Sequence, residues 1–150
     1  MFRGSHAHAI DAKGRTSLPS RFRELLSADG DCRVVMTRSL ERCVITYSLA
    51  EWTAFEQKLA AAPQFDPLVN ALRTVYVNSA FDTEVDKMGR LLIPSALREY
   101  AGLTRDVVWT GSLKHIELWD KQKLEQKQEA ILADPEKVTA IARRMAELGL

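Results

Sequence analysis

A pentapeptide written twice constrains this chain more than anything else in it. Asp11-Ala12-Lys13-Gly14-Arg15 is followed by Leu18-Pro19-Ser20, and Asp86-Lys87-Met88-Gly89-Arg90 by Ile93-Pro94-Ser95 at the same spacing. The offset is 75 residues, half of the 150 in the chain, and Arg23-Glu24 and Arg98-Glu99 match across it too. Further on, Thr37 matches Thr110 and Leu40 matches Leu113 at an offset of 73, which a two-residue deletion explains. Two copies and no more make this a duplication, not a solenoid.

The residue types say what the pentapeptide does locally. Residues before each Asp alternate as in a strand: His8 and Ile10, then Thr83 and Val85. Asp accepts backbone N–H groups at the first position of a turn, and Gly takes a positive φ without steric cost. Strand, Asp-x-x-Gly, strand therefore predicts a hairpin or tight loop. The Pro that follows suits the first turn of a helix. Arg, four residues after Asp, is within reach of the carboxylate, which holds a guanidinium fork in one orientation. A fork so held suits guanine or phosphate. The competing reading is a structural turn ion pair of small energetic value. One copy favours that bland reading. Two copies at matching places favour function, because a turn alone needs Gly more than it needs Asp with Arg.

A chain of 150 residues buries a real core, as one domain or as two small halves. Apolar residues make up 46% and charged residues 27%, ordinary for a globular protein, and no apolar run approaches a membrane span. Met1-Phe2-Arg3-Gly4 lacks the apolar core of a signal peptide. Cys32 and Cys43 have no metal spacing and read as reduced, buried thiols of a cytoplasmic protein. Net charge is only +1, but its distribution is uneven. Residues 1–23 hold five basic side chains against Asp11 alone, residues 24–85 five against nine acidic, and residues 86–150 eleven against ten. A basic tip on a neutral body suits a weak contact with a polyanion, multiplied when several tips share an assembly.

In chain order, 2–10 reads as a strand, 16–18 as its return, and 21–27 as a helix with Phe22, Leu25 and Leu26 on one face. Residues 33–37 and 43–47 form a second hairpin. Ser48 and Glu51 have capping-box spacing ahead of a helix carrying Trp52, Phe55 and Leu59. Asp66-Pro67 caps another, with the stripe Leu68, Leu72, Val75 and Tyr76. The second half repeats the order: strand 80–85, turn, strand 91–93, helix 95–101 closed by Gly102, and strands 106–110 and 116–119. A polar helix from Asp120 and a last helix from Asp134-Pro135, with Val138, Ile141, Met145 and Leu148, complete the chain.

With both motifs in view, the chain resembles the MraZ family, bacterial regulators related to AbrB-like, swapped-hairpin transcription factors. The resemblance covers nearly the whole chain. It rests on Phe2-Arg3-Gly4, the two Asp-x-x-Gly-Arg turns, Leu18-Pro19, Leu97-Arg98-Glu99-Tyr100-Ala101-Gly102-Leu103 and Glu117-Leu118-Trp119. It implies an α+β fold of tandem duplicated AbrB-like, swapped-hairpin-type β-barrel units with peripheral helices. The divisions expected are a first repeat over 1–62, a connecting helix over 63–77, a second repeat over 78–124 and a helical tail over 125–150. It also implies a homo-oligomeric ring, cytoplasmic and nucleoid-associated. Such a ring binds repeated boxes in double-stranded DNA upstream of the division and cell-wall gene cluster, its own gene included, and regulates transcription there. The family's Asp-x-x-x-Arg motif falls on Asp11 with Arg15 and on Asp86 with Arg90. Met88 stands where the first copy has Lys13, so the first turn ranks above the second as a DNA contact.

The expected roles are Arg15 on a base edge, Lys13 on phosphate, Asp11 orienting Arg15, and Gly14 letting the turn approach the duplex. Arg90, Lys87, Gly89 and Asp86 repeat them more weakly, and Arg3 touches phosphate. His6 and His8 share a strand face but have no third ligand nearby, so no metal is expected. His115 reads as a neutral loop residue, and Trp52, Trp109 and Trp119 as core. No phosphate-cradling loop, nucleophile elbow or His-Glu-x-x-His motif is present, so no enzyme, cofactor, small-molecule substrate or membrane role is expected. The rival reading from another class is a ring-forming scaffold that binds no specific DNA. It differs in salt dependence, which is steep for a DNA binder.

Overall fold

The computed structural model describes all 150 residues, as two compact units, Met1–Asp120 and Lys121–Leu150. The first unit is built from eight strands and four helices. In order these are β1 (Ser5–Ala9), β2 (Arg15–Ser17), α1 (Ser20–Leu26), β3 (Arg33–Arg38), β4 (Val44–Ser48), α2 (Leu49–Ala60) and α3 (Pro67–Leu72), which runs on into a π-helical segment, Arg73–Val77. The second half adds β5 (Phe81–Glu84), β6 (Arg90–Leu92), α4 (Ser95–Ala101), β7 (Asp106–Ser112) and β8 (His115–Asp120).

Six strands form one antiparallel sheet in the order β1-β7-β8-β4-β3-β5, and β2 and β6 form a separate two-stranded ribbon. The two halves of the chain interleave throughout. β1 pairs with β7, β2 with β6, and β5 with β3, each partner coming from the other half. At the middle of the sheet β4 meets β8 through Val44↔Leu118 and Ile45↔Glu117, two pairings that exchange under the repeat offset. The same internal symmetry relates the bonds that lock the ribbon in place. Leu18 N–H donates to Gly89 O at 2.8 Å and Ile93 N–H to Gly14 O at 2.8 Å.

These pairings correct the local hairpin expected around each pentapeptide. The turn does form, but the strands on either side of it part at once and pair elsewhere. β1 has the sequence Ser-His-Ala-His-Ala, with no apolar face strong enough to hold β2 beside it, whereas β7 offers Val107 and Trp109, both fully buried. The strand expected over 2–10 is shorter as well. Gly4 has φ 93°, and Phe2 makes only an isolated bridge to Leu113.

The core lies between the ribbon with its two short helices and one face of the sheet. Phe22, Leu26, Leu91, Ile93, Leu97, Trp109, Ile116 and Leu118 fill it. The Trp109 indole N–H donates to Ser17 O at 3.1 Å, fastening the sheet to the ribbon. On the opposite sheet face, Trp52 and Phe55 of α2 stack against each other and on Tyr47. All three tryptophans are buried, as core residues should be. Ser48 caps α2 by accepting from Glu51 N–H at 3.3 Å, and Asp66 caps α3 through Leu68 N–H at 2.9 Å.

Three expectations fail on burial. Cys32 is exposed, because it precedes β3 at its solvated start; only Cys43 is buried, and burial pushes its thiol up to about 12. Leu68 is 80% exposed at the start of α3, so the apolar stripe there begins at Leu72. His115 opens β8 and is half-buried, with Nε2 3.2 Å from the accepting Glu117 carboxylate and its ring packed on Tyr47. The second unit consists of α5 (Lys121–Leu132) and α6 (Pro135–Glu147), the latter capped by Asp134. Val138, Ile141 and Met145 of α6 are exposed. No helix is long and apolar enough to cross a membrane.

Candidate nucleic-acid interface

Each pentapeptide folds into the same knot of bonds. Asp11 N–H donates to Arg15 O at 2.8 Å and Gly14 N–H to Asp11 O at 3.0 Å, which closes the loop on itself. Gly14 has φ 86° and Gly89 φ 76°, a region that glycine enters at no steric cost. One oxygen of Asp11, Oδ1, accepts from Lys13 N–H and Arg15 N–H, both at 2.9 Å, while Oδ2 accepts from Arg15 Nε at 2.8 Å. Asp86 repeats this with Met88 N–H, Arg90 N–H and Arg90 Nε, all at 2.9 Å. The Arg15 and Arg90 backbone N–H bonds are the chief cause that holds each carboxyl below the ordinary aspartate value of 3.8. Both carboxylates are therefore charged at neutral pH and aim their guanidinium partners.

The consequence for the arginines is directional. Nε is committed to Asp, which leaves the two Nη amino groups as a fork, the geometry that matches guanine O6 and N7 or a phosphate edge. The ribbon then brings both forks to one surface. Its central pair, Thr16 opposite Leu91, is buried, while Arg15 opposite Leu92 and Ser17 opposite Arg90 point the other way. Pleating puts residues at i and i+2 on one face, so Arg15, Ser17, Arg90 and Leu92 share the outer face. From strand spacing, Arg15 and Arg90 are about 8 Å apart at the backbone. A two-stranded ribbon of this kind fits a B-DNA major groove.

The structure adds two residues to which the sequence reading assigned no role. The Arg98 guanidinium, from α4, packs on Gly14: a Cβ built on that glycine would come within 2.9 Å of its Cζ. The Arg23 guanidinium, from α1, packs on Gly89 even more closely, 1.6 Å from such a Cβ. Each turn is thus backed by an arginine from the opposite half of the chain. Arg98 is further fixed by Nε donating to Ile93 O at 3.1 Å. The repeat of Arg23 and Arg98 at the pentapeptide's own offset was the signal that could have found them. Gly14 is buried, and it is the Arg98 guanidinium that fills the space over it.

The remaining expected residues sort by place. Lys13 and Lys87 are exposed on their turns, and Met88, in the position matching Lys13, is 73% exposed. Arg3 is exposed and stands apart from the first turn. It lies beside Gly111 at the start of β1, where Phe2 bridges Leu113, and the turn lies past the other end of that strand. His6 packs edge-on against Phe22, and burial with the neighbouring His6 lowers the pKa of His8. No group of three or more His, Cys, Asp and Glu side chains is placed to hold a metal.

Comparison with known proteins agrees with this picture of a doubled chain. The family model described as "MraZ protein, putative antitoxin-like" matches residues 1–74 and 77–147, two stretches that divide the chain near its middle, as the repeat does. A protein of Acetivibrio thermocellus named transcriptional regulator MraZ is 42% identical over 152 residues, covering all of both chains. Proteins of the same name from a Marinomonas species and from Coxiella burnetii are 42% and 40% identical, each over 89% of both chains. A match over nearly every residue of the chain, together with identity at this level, places it in the MraZ family.

Proposed function

We propose that this protein is a sequence-specific regulator of transcription that grips double-stranded DNA with its two Asp-x-x-Gly-Arg turns. The observation that carries this reading is the outer face of the β2–β6 ribbon. There two guanidinium groups, each held by its own aspartate, sit diagonally across the ribbon, about a third exposed. Arg15 reads a base edge, Lys13 takes phosphate and Asp11 orients Arg15. Arg90, Lys87 and Asp86 act likewise from the second turn, with Arg23 and Arg98 adding positive charge behind each loop and Arg3 a phosphate contact on the flank. The relatives' shared name, transcriptional regulator, supports the same class.

The interleaving of halves supports an AbrB-like, swapped-hairpin arrangement, here made within one chain. We place its targets, as the family resemblance implies, at repeated boxes before the division and cell-wall gene cluster, in the cytoplasm at the nucleoid. A homo-oligomeric ring presents many ribbons at once, and the exposed Val138, Ile141 and Met145 of α6 offer apolar surface for assembly.

Footprinting of the DNA upstream of the protein's own gene, at two salt concentrations, tests the reading. Arg15→Ala is expected to remove specific protection while leaving the fold and oligomeric mass unchanged. A base-reading arginine contributes about 1–3 kcal/mol per contact, multiplied over subunits. Equal protection by wild type and Arg15→Ala, or binding insensitive to salt, leaves the scaffold reading in its place.

A further inference from the structure

A second basic cluster stands apart from the turns, and the duplication does not account for it. At the tip of the β3–β4 hairpin, Arg38 and Arg42 both lie over the ring of Tyr100, with Cζ 4.9 and 4.7 Å from its centroid. The ring is anchored through its hydroxyl: Tyr100 O–H donates to Ser39 O at 2.5 Å. Arg38 Nε is buried and has no hydrogen-bond acceptor in the protein. Arg42 has φ 64°, a left-handed conformation that glycine or asparagine usually takes at this place in a hairpin. The backbone is strained at Arg42, and the strain delivers its side chain to the ring. The matching positions of the other half are Gly111 for Arg38, His115 for Arg42 and Leu25 for Tyr100, so nothing there resembles it.

Two guanidinium charges drawn to one aromatic ring repel each other, and the ring quadrupole offsets only part of that. An anion with several oxygens relieves it by accepting from both guanidinium edges. We propose that Arg38 and Arg42, gathered at the Tyr100 ring, form a binding site for a phosphate oxyanion. Its position points to a source. α4 is seven residues long, and it carries both Arg98, packed on Gly14 of the first turn, and Tyr100, bonded to Ser39. The two basic features therefore flank one short helix, about 10–12 Å across. A duplex held at the first turn brings backbone phosphates to this distance, and the site takes one of them. This source rests on the DNA-binding reading; a free phosphate has the same chemistry. The second turn has no such neighbour, so a DNA contact here makes the two halves of the chain unequal on their target.

The test uses the full-length protein and Arg42→Gly, a change that relieves the strained φ while removing the charge. Arg38→Gln is the second variant. Duplex affinity is measured against salt, inorganic phosphate is titrated by calorimetry, and oligomeric mass is followed by light scattering. With a backbone phosphate in the site, the slope of log K on log salt falls by about 0.9 in either variant. Affinity then drops about equally for specific and unrelated DNA. With a free phosphate as occupant, the slope holds, but wild type binds inorganic phosphate and both variants lose it. The proposal is overturned if slope and phosphate binding both match wild type. It is overturned equally if the variants change only the oligomeric mass, which would make the cluster a subunit contact. Arg15→Ala run alongside separates the two ideas: loss there with an unchanged slope in Arg42→Gly removes this site and leaves the DNA reading standing.

Discussion

Asp11 and Asp86 each satisfy three donors with two oxygens, and those bonds keep the carboxyls ionised further into acid than an ordinary aspartate. A carboxyl whose folded pKa lies below its unfolded value contributes order above the unfolded value and loses it as pH falls through the folded one. The turns are therefore expected to stay intact at neutral pH and through the ordinary aspartate range, and to open only in stronger acid. Carboxyl NMR titration should give midpoints under 3.8 for both residues. Arg15→Gln should move Asp11 upward and leave Asp86 alone. The glycines make a second prediction at this scale. Gly89→Ala and Gly30→Ala both pay for a left-handed backbone, at φ 76° and 82°, about 1–2 kcal/mol each and a few degrees of melting temperature. Only Gly89→Ala also strikes a side chain, Arg23, whereas Gly30 has open space. Equal melting temperatures with weaker DNA binding in Gly89→Ala alone would assign Arg23 to the interface.

Among the elements, the β2–β6 ribbon is where the two copies differ on the face proposed to meet DNA. Leu92 is 53% exposed on the same face as the two forks, and its counterpart is Ser17. An apolar side chain in a major groove meets a thymine methyl group. Replacing single thymines by deoxyuridine within a bound box is expected to weaken wild type at one position and to leave Leu92→Ser indifferent; loss at no position would remove Leu92 from the reading surface. Much of this element structure was legible beforehand. Turn chemistry is local, so the Asp-x-x-Gly-Arg loops, their ion pairs and the caps at Ser48, Asp66 and Asp134 are encoded within a few residues of themselves. Partner choice is not local. Alternation in 5–9 sets which side chains share a face but cannot say whether β2 or β7 lies alongside, and packing against Trp109 decides that. Arg23 and Arg98 escaped for the same reason: each acts on a glycine far along the chain. His115 was misplaced because its partners, Glu117 and Tyr47, give it a packed environment that a turn-like sequence does not announce.

At the scale of the molecule, the interleaved pairings make the first unit indivisible although its sequence is two repeats. A fragment ending at residue 77 loses the partners of β1, β2 and one side of β3 at a stroke. Such a fragment is expected to show no cooperative melting by circular dichroism, and to regain structure when mixed with 78–150. A sharp transition from either fragment alone would mean that each repeat carries a sufficient core. The wild-type unit should melt in a single step, both turns failing together.

The pairing of β1 with β7 also sets the timing of birth. The first strand leaves the ribosome about a hundred residues before the one it must join, since Ser5 faces Thr110 and Ala9 faces Asp106. A nascent chain stalled midway has four strands, β1 to β4, waiting with bare edges, and bare edges invite aggregation. Synthesis of this protein is therefore exposed to holdase chaperones until its second half arrives, and slow codons placed before β7 would lengthen the hazard rather than aid folding.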